Sequence, residues 1–482
     1  MKNILHVSSE CYPAAKAGGM GDVVGALPTY LPQYGINASV VIPKYKTKWI
    51  AKQKFKETYA GTFLIDNKKQ KFTVQKLSSK GLDFPLYCID LPGLFDRESI
   101  YLAEDGHGFK DEPKRNIAFQ TAVLEWLINE EDENFSLIHV HDHMTGLIPF
   151  FMQYCPKYKK LKKIPSVLSI HNGSYRGIFE WNEVSSFLPK FNDSDAGTLD
   201  WDGQINSLAA AIKCAWSINT VSPAYMLELI ENSDTLRPLY ESEIHKCKGI
   251  LNGIDSKLWN PSTDAYLKDH LKSHIKAAWK TFKAANKKYL QTKYNLIARR
   301  PLIGFIGRFA DQKGADLFLD AIDDALKNNL KFNAVILGSG DKELEQKAID
   351  LSKTYTREVG ADIAYNEKLA RYIYAGCDFL IMPSRFEPCG LNQLYAMRYG
   401  TVPIASHVGG LKDTVVDISN DGEGIVINNL NKEAVIDAIN RAIKLYQDKK
   451  SFTDLISKIS KLDYSWNNSA EIYTNLYNEH LK

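Results

Sequence analysis

The chain has 482 residues, 44% of them hydrophobic, with 60 Lys and Arg against 57 Asp and Glu. That length exceeds one ordinary core and predicts two domains of about 200 residues each, and the near-balanced charge leaves no field that would select a nucleic acid or an anionic membrane as partner. Seven cysteines, spread from Cys11 to Cys389 without a C-x-x-C pair, argue against a disulfide framework or a structural zinc module and fit a reducing compartment.

The opening MKNILHVSSE turns polar too early for a signal-peptide core, and no later run approaches a membrane span, which predicts a cytoplasmic protein. Ile4 to Val7 reads as a buried strand, followed by a glycine-rich loop and a helix from about Gly19. Gly18 and Gly19 let backbone amides approach a ligand, and Lys16 adds a point charge suited to phosphate; a lone glycine turn is nonetheless more often just a tight turn. Ala38 to Pro43 is the next strand, and Phe72 to Leu77 with Phe84 to Ile89 suggest a hairpin-like pair. A polar loop from Tyr101 then leads into a helix that runs through Leu127. Ser136 to His141 is a strand that places His139 and His141 on one face, with Asp142 and His143 at its end. Three histidines this close could hold zinc or could serve as hydrogen-bonded structural imidazoles. The basic run Lys157 to Lys163 reads as a solvated loop. Pro165 to Ile170 forms another strand, with His171-Asn172-Gly173 at its carboxyl end, the ligand edge of a parallel sheet. The long stretch to Gly203 reads as a mobile lid or acceptor surface. A helix over Asn206 to Trp216 and a strand over Ile218 to Ser222 follow.

In the second half, the lysine-rich stretch from Asp264 to Leu296 predicts a pair of surface helices without chemistry. Leu302 to Ile306 is a strand, and the turn after it carries Arg308 and Lys313, two cations five positions apart that suit a diphosphate: arginine grips oxygens in a fork and lysine adds a compact charge. Phe332 to Leu337 is a strand ending in Gly338-Ser339-Gly340, too short a glycine turn to support a nicotinamide enzyme. Tyr365 precedes a helix; it is either an aromatic platform or a core tyrosine. Asp378 to Met382 is a buried strand, after which Arg385, Phe386 and Glu387 lie in a loop before a helix spaced by Leu391, Leu394, Tyr395 and Arg398. Glu387 is either a helix-capping carboxylate or a group that aligns sugar hydroxyls and opposes positive charge. Val402 to Ala405 is a strand, and Gly409 and Gly410 after it open a helix whose amides suit a phosphate. The tail from Tyr464 reads as an amphipathic helix.

The run RFEPCGLNQLY at 385–395 closely resembles the signature of glycogen and starch synthases of the retaining, GT-B type. Lys-x-Gly-Gly at 16–19, His-x-His-Asp at 139–142, His-Asn at 171–172, the Arg308 to Lys313 spacing and the Gly409-Gly410 turn resemble the same family. The resemblance implies an α/β GT-B fold: two Rossmann-like, doubly wound domains facing a deep interdomain cleft. Residues 1–253 would take the acceptor glucan, residues 254–463 the donor, and a helix over 464–482 would cross back to the first domain. It implies transfer of glucose from a nucleotide diphosphate glucose, ADP-glucose favoured over UDP-glucose, to the nonreducing end of an α-1,4-glucan such as glycogen with retention of configuration, using no cofactor and no metal. On this reading Glu387 and His171 attend the reacting glucose, Arg308 and Lys313 hold the diphosphate, and Asp142 stands on the acceptor side. Lys16, Gly18, Gly19, Cys389, Gly390, Leu391, Gly409 and Gly410 line the donor, and Tyr365 stacks on its base. The chain departs from the family pattern at Met20, usually leucine, at His143-Met144, usually Trp-His, and at Ser174 and Arg176. Tyr395 stands where many other GT-B enzymes carry a second glutamate, a tyrosine that glycogen and starch synthases share.

Three rivals differ in what they require. A GT-B enzyme with a lipid or small-molecule acceptor is disfavoured by the number of matching motifs and by Tyr395. A silent glucan-binding scaffold would tolerate loss of the phosphate cations, which are all present. A nicotinamide oxidoreductase lacks the G-x-G-x-x-G and ribose-binding acid after its first strand.

Overall fold

The structure is a computed structural model that describes residues 2–103, 106–130 and 134–481. Contacts divide the chain into two compact units, one made of Met1–Val221, Met226–Gly253 and Trp466–Lys482 and the other of Ser222–Tyr225 and Ile254–Ser465.

The first unit is built on one sheet. From edge to edge its strands are Cys247–Gly249, Ser217–Thr220, Ser166–Ile170, Leu137–His141, Lys2–Val7, Ile36–Pro43, Leu86–Asp90, Lys68–Leu77 and Phe55–Ile65. Pairing is parallel from the first of these to Leu86–Asp90 and antiparallel over the last two. The inner parallel strands Leu137–His141, Ser166–Ile170 and Ser217–Thr220 are buried at every residue, as expected of a parallel sheet covered on both faces. The order reverses between Lys2–Val7 and Leu137–His141, so the loops after these two strands flank a topological switch point. The helix Gly19–Tyr30 buries Met20, Val23, Val24 and Leu27, and its Pro28 leaves the Val24 carbonyl without the usual helical donor. The Cys11 thiol donates to that carbonyl. On the same unit the helix Trp466–Asn478 packs Trp466, Ala470, Tyr473, Leu476 and Tyr477 against Ile4, Val23, Leu27, Ile36 and Ala38.

Several expectations need correction here. Lys68–Leu77 pairs not only with Leu86–Asp90 but also with Phe55–Ile65, a strand that sequence reading missed because its residues are mostly exposed and its apolar alternation is weak. Asp66 and Asn67, at φ 53° and 55°, make the tight hairpin turn between them. The stretch to Gly203, expected as a long loop serving as a mobile lid or acceptor surface, carries a small sheet of Ile178–Phe179, Gln204–Asn206 and Asp200–Trp201 with short helical turns between. Lysines 157–163 lie on a 3-10 helix, Pro156–Lys163, anchored by buried Tyr158 and Leu161, rather than on a loop. Of the polar loop after Tyr101, Glu104 and Asp105 lie outside the described residues.

In the second unit six strands pair in parallel in the order Val359–Ile363, Asn333–Gly338, Leu302–Ile306, Phe379–Met382, Val402–Ser406 and Ile425–Ile427. Counted within the unit this is 3-2-1-4-5-6, the order of dinucleotide-binding sheets, with its switch point between Leu302–Ile306 and Phe379–Met382. The lysine-rich stretch forms a single helix, Lys276–Lys293, not a surface pair. Its buried face carries Trp279, Phe282 and Leu290, and also Lys283 and Lys287, whose four-residue spacing puts them on the same side. Lys287 Nζ pairs with Asp378 at 2.5 Å, and the same carboxylate accepts the Leu302 N–H at 2.7 Å, tying the helix to both strands of the switch point. Lys283 donates to the Tyr374 and Tyr399 carbonyls and to the Thr401 hydroxyl, and burial pushes its ammonium down to about 7.

Candidate functional site

The candidate residues of each unit lie after the carboxyl ends of its parallel strands, several of them beside the switch point. In the second unit the loop after Leu302–Ile306 carries Arg308, Gln312 and Lys313, and the loop after Phe379–Met382 carries Ser384 to Leu391. The two loops are laced together. Gln312 donates its amide to the Phe386 carbonyl at 3.2 Å and offers its own carbonyl to the Arg385 N–H at 2.9 Å. Arg385 grips Asp316 with two bonds of 2.8 and 2.6 Å. Gly314, at φ 63°, brings them into contact; a Cβ there would lie 1.9 Å from the Pro383 carbonyl oxygen.

That lacing sets Lys313 Nζ 2.5 Å from Glu387 Oε2, and the Ser384 hydroxyl donates to the same oxygen at 3.2 Å. Glu387 is only 6% exposed, so its carboxylate is held by a cation and a hydroxyl rather than by solvent. A helix-capping role is not what the geometry shows, because the following helix, Asn392–Arg398, begins with Leu391 as its cap. Arg308 is exposed, with its guanidinium 3.4 Å from Gln312 Oε1. Tyr365 is 90% exposed, which rules out the core-tyrosine reading and leaves a bare aromatic face. Asn366 beside it caps the helix Glu367–Gly376 by accepting the Leu369 N–H.

The Gly409-Gly410 turn packs on the loop that carries Glu387. Gly409, at φ 43°, would place a Cβ 2.0 Å from the Glu387 carbonyl oxygen, and the Gly410 N–H is donated to that oxygen at 3.0 Å. The turn therefore grips the backbone of the Glu387 loop, and the Gly410 amide is already engaged there. Cys389 is buried, Gly390 turns the chain at φ 73°, and Tyr395 stacks on Trp259 with centroids 3.7 Å apart.

In the first unit the loop after Lys2–Val7 holds Glu10, which sequence reading passed over. Its carboxylate accepts the N–H groups of Ala17 and Gly18 at 2.6 and 2.8 Å and the Tyr101 hydroxyl at 2.7 Å. The amide of Gly18, expected to meet a ligand, is thus occupied by a side chain of the same unit, because the helix start attracts whichever carboxylate lies nearest. Lys16 is paired with Asp22 at 2.6 Å, and Gly19 opens the helix.

Asp142, at φ 54°, and His171 end adjacent strands. One Asp142 oxygen accepts the backbone N–H of His171 at 2.6 Å and of Asn172 at 3.4 Å, so the carboxylate shapes the loop that carries His171. Burial is the main influence on Asp142 and raises its carboxyl to about 7. Behind them the histidines form a network. His139 bonds Tyr477 and Ser169 through its two ring nitrogens at 2.8 and 2.7 Å. His141 bonds His171 on one side and His6 on the other, both at 3.0 Å. Ring nitrogens of His6, His139 and His141 lie within 4.8 Å of one another. The rings of His139 and His141 are stacked at 4.4 Å and 22°, so their in-plane lone pairs run nearly parallel instead of converging on one ion. Sequence spacing pointed to His139 and His141; His6 enters only through the parallel register that sets it opposite His139.

Comparison with known proteins places this geometry. A family model described as the starch synthase catalytic domain matches residues 3–242, and one for glycosyl transferases group 1 matches residues 287–458. The chain is 42% identical to the glycogen synthase of Flavobacterium johnsoniae over 98% of both chains, and 34% identical to that of Alkaliphilus metalliredigens over 98% of this chain and 99% of the other. Among solved structures, the catalytic domain of starch synthase IV from Arabidopsis thaliana, bound to ADP and acarbose, superposes with a TM-score of 0.88 at 29% identity, over 100% of this chain and 99% of that one. With two parallel α/β units of the GT-B class and relatives of this identity over nearly its whole length, the chain belongs to the glycogen and starch synthase family of glycosyltransferases.

Proposed function

We propose that the chain transfers glucose from ADP-glucose to the 4-hydroxyl at the nonreducing end of an α-1,4-glucan, with retention of configuration, in the cytoplasm. The bond from C1 to the diphosphate oxygen breaks, the bond from C1 to the acceptor oxygen forms on the same face, and the acceptor's proton leaves with the diphosphate. The observation that carries this reading is the Lys313–Glu387 pair at the switch point of the second unit, with exposed Arg308 beside it in sequence. A preorganised cation and carboxylate suit a reaction in which negative charge grows on a leaving diphosphate while positive charge grows on a sugar ring.

Arg308 and Lys313 hold the diphosphate and stabilise it as it departs. Glu387, released from part of its pairing as Lys313 turns to phosphate, orients the glucose hydroxyls and opposes oxocarbenium charge. Tyr365 offers its exposed ring to the adenine; the starch synthase IV structure bound to ADP supports that choice of base. His171 faces the donor sugar, and Asp142 shapes the loop between that sugar and the acceptor. Lys16 and Gly19 belong to the donor side of the first unit. Cys389, Gly390 and Leu391 shape the backbone that carries Glu387.

The test is to incubate the protein with glycogen and either ADP-glucose or UDP-glucose, with a chelator present, and to measure nucleotide release together with glucan extension. Release and extension with ADP-glucose support the reading. Release without extension, or activity confined to UDP-glucose, overturns the acceptor or the base respectively.

A further inference from the structure

We infer that His141 and His6 are positioning residues that lock His171 into one tautomer, with hydrogen on Nδ1, so that it acts as a hydrogen-bond donor to the substrate. The inference rests on the reading that His171 faces the donor sugar. It starts from a chain of three rings: His171 Nε2 meets His141 Nδ1, and His141 Nε2 meets His6 Nδ1, each contact at 3.0 Å. A hydrogen-bonded contact between two ring nitrogens needs one hydrogen and one lone pair. Three neutral imidazoles carry three ring hydrogens, of which two fill the contacts. The third must sit at one end of the chain, on His171 Nδ1 or on His6 Nε2. No mixed arrangement exists, because it would set two hydrogens or two lone pairs face to face. The tautomer of His171 is therefore tied to that of a residue two rings away.

The rings are neutral. All three are buried, and burial pushes His6 and His171 down to about 3 and His141 well below its ordinary value. The two ends are buried nitrogens with no partner among the described residues, but their surroundings differ. His6 is 0% exposed, in the central strand of the sheet. His171 sits at the carboxyl edge of the sheet, 8% exposed, where ligands of such sheets bind. With the hydrogen at the His6 end, a buried N–H would lack an acceptor among the described residues, which is costly. Orphaned buried N–H groups are rarer in native structures than under-used acceptors. The hydrogen thus belongs on His171 Nδ1, where a sugar oxygen can receive it, and the lone pair is left on His6. His139, stacked on His141 and bonded to Ser169 and Tyr477, keeps the middle ring from turning.

The primary test is long-range proton–nitrogen correlation on protein labelled with 15N-histidine, each ring assigned by the signals lost in single His→Gln variants. The expected result is a protonated Nδ1 and bare Nε2 on His171, with the same pattern on His141 and His6, and no change on lowering the pH to about 6. A bare Nδ1 on His171 overturns the inference, whatever the substrate proves to be. The second arm is kinetic. In His141→Gln one amide can donate to His171 and accept from His6, whereas His141→Leu can do neither. With ADP-glucose and glycogen, His141→Leu should lose about 10- to 100-fold in kcat, the range seen for loss of outer-shell partners, with KM for the donor little changed, and His141→Gln should recover most of that loss. Equal losses in two variants that melt like wild type overturn the positioning role. If wild type itself extends no glucan, the proposed function fails, while the nitrogen signals still decide the tautomer.

Discussion

Replacing Asp142 by asparagine separates the charge of this side chain from its hydrogen bonds. Its oxygen accepts the N–H groups of His171 and Asn172, and an asparagine carbonyl can accept the same two. Asparagine has the same shape as aspartate, so the unusual backbone there, φ 54° and ψ −173°, is common to both proteins and drops out of the comparison. What the substitution removes is ionisation. Burial raises the Asp142 carboxyl from 3.8 to about 7, outweighing the opposing pull of the two N–H groups and of His143. Because the pKa is higher in the folded chain than in the unfolded one, the folded state binds the proton more tightly. The stability this contributes is complete below about pH 4 and is lost as the pH rises through about 7. At 1.36 kcal/mol for each pKa unit, the difference between 3.8 and about 7 amounts to about 4 kcal/mol. Wild type should therefore lose about that much relative to Asp142→Asn between about pH 4 and about pH 8, and Asp142→Asn should be the more stable protein at the alkaline end. The assay is urea unfolding of both proteins at constant ionic strength, with the difference taken at each pH so that titrating groups not coupled to Asp142 cancel. A difference that stays flat across the range would refute the reasoning.

Arg308→Ala and Lys313→Ala should each lower turnover by about a hundredfold, as loss of preorganised charge does elsewhere; steady-state kinetics that leave both unchanged would remove the diphosphate role. Tyr365→Ala should raise KM for ADP-glucose by about 10- to 100-fold, the equivalent of losing one base stack, with no change in melting temperature because the ring is 90% exposed. Tyr365→Phe should behave as wild type, and an alanine variant with an unchanged KM would sink the platform. Asp378→Ala strips Lys287 of its partner and the Leu302 N–H of its acceptor, so chemical denaturation should register a loss of about 3–5 kcal/mol. A loss below about 1 kcal/mol would place that pair among the weak surface bridges.

Much of the second unit was legible in the sequence, since its buried parallel strands are short apolar runs bounded by glycine and proline, and the cations and carboxylate follow them directly. Arg308, Lys313 and Glu387 could be named in this way, but not the 2.5 Å pairing of the last two, which depends on Gly314 letting two loops meet. The first unit was harder. Phe55–Ile65 is an outer strand with little to bury, so its pattern is faint, and the small sheet around Ile178–Phe179 is too short to show a period. Lys283 and Lys287 were misread as surface because composition assigns charge to solvent; only the helix face they share with Trp279 and Leu290 turns them inward.

The strand and helix periods, and the residue types that follow each strand, were readable along the chain because they are local properties of it, and the resemblance of its motifs to known synthases supplied the family and the GT-B fold class. Tertiary structure alone decided which of those groups are already partnered. It seats Glu10 on the Gly18 amide, turns the Gly410 amide into the Glu387 loop, and joins His6 to His171 through His141. These partners lie far apart in sequence or across strands and loops, and hydrogen bonding is set by distance in space, which no spacing along the chain encodes.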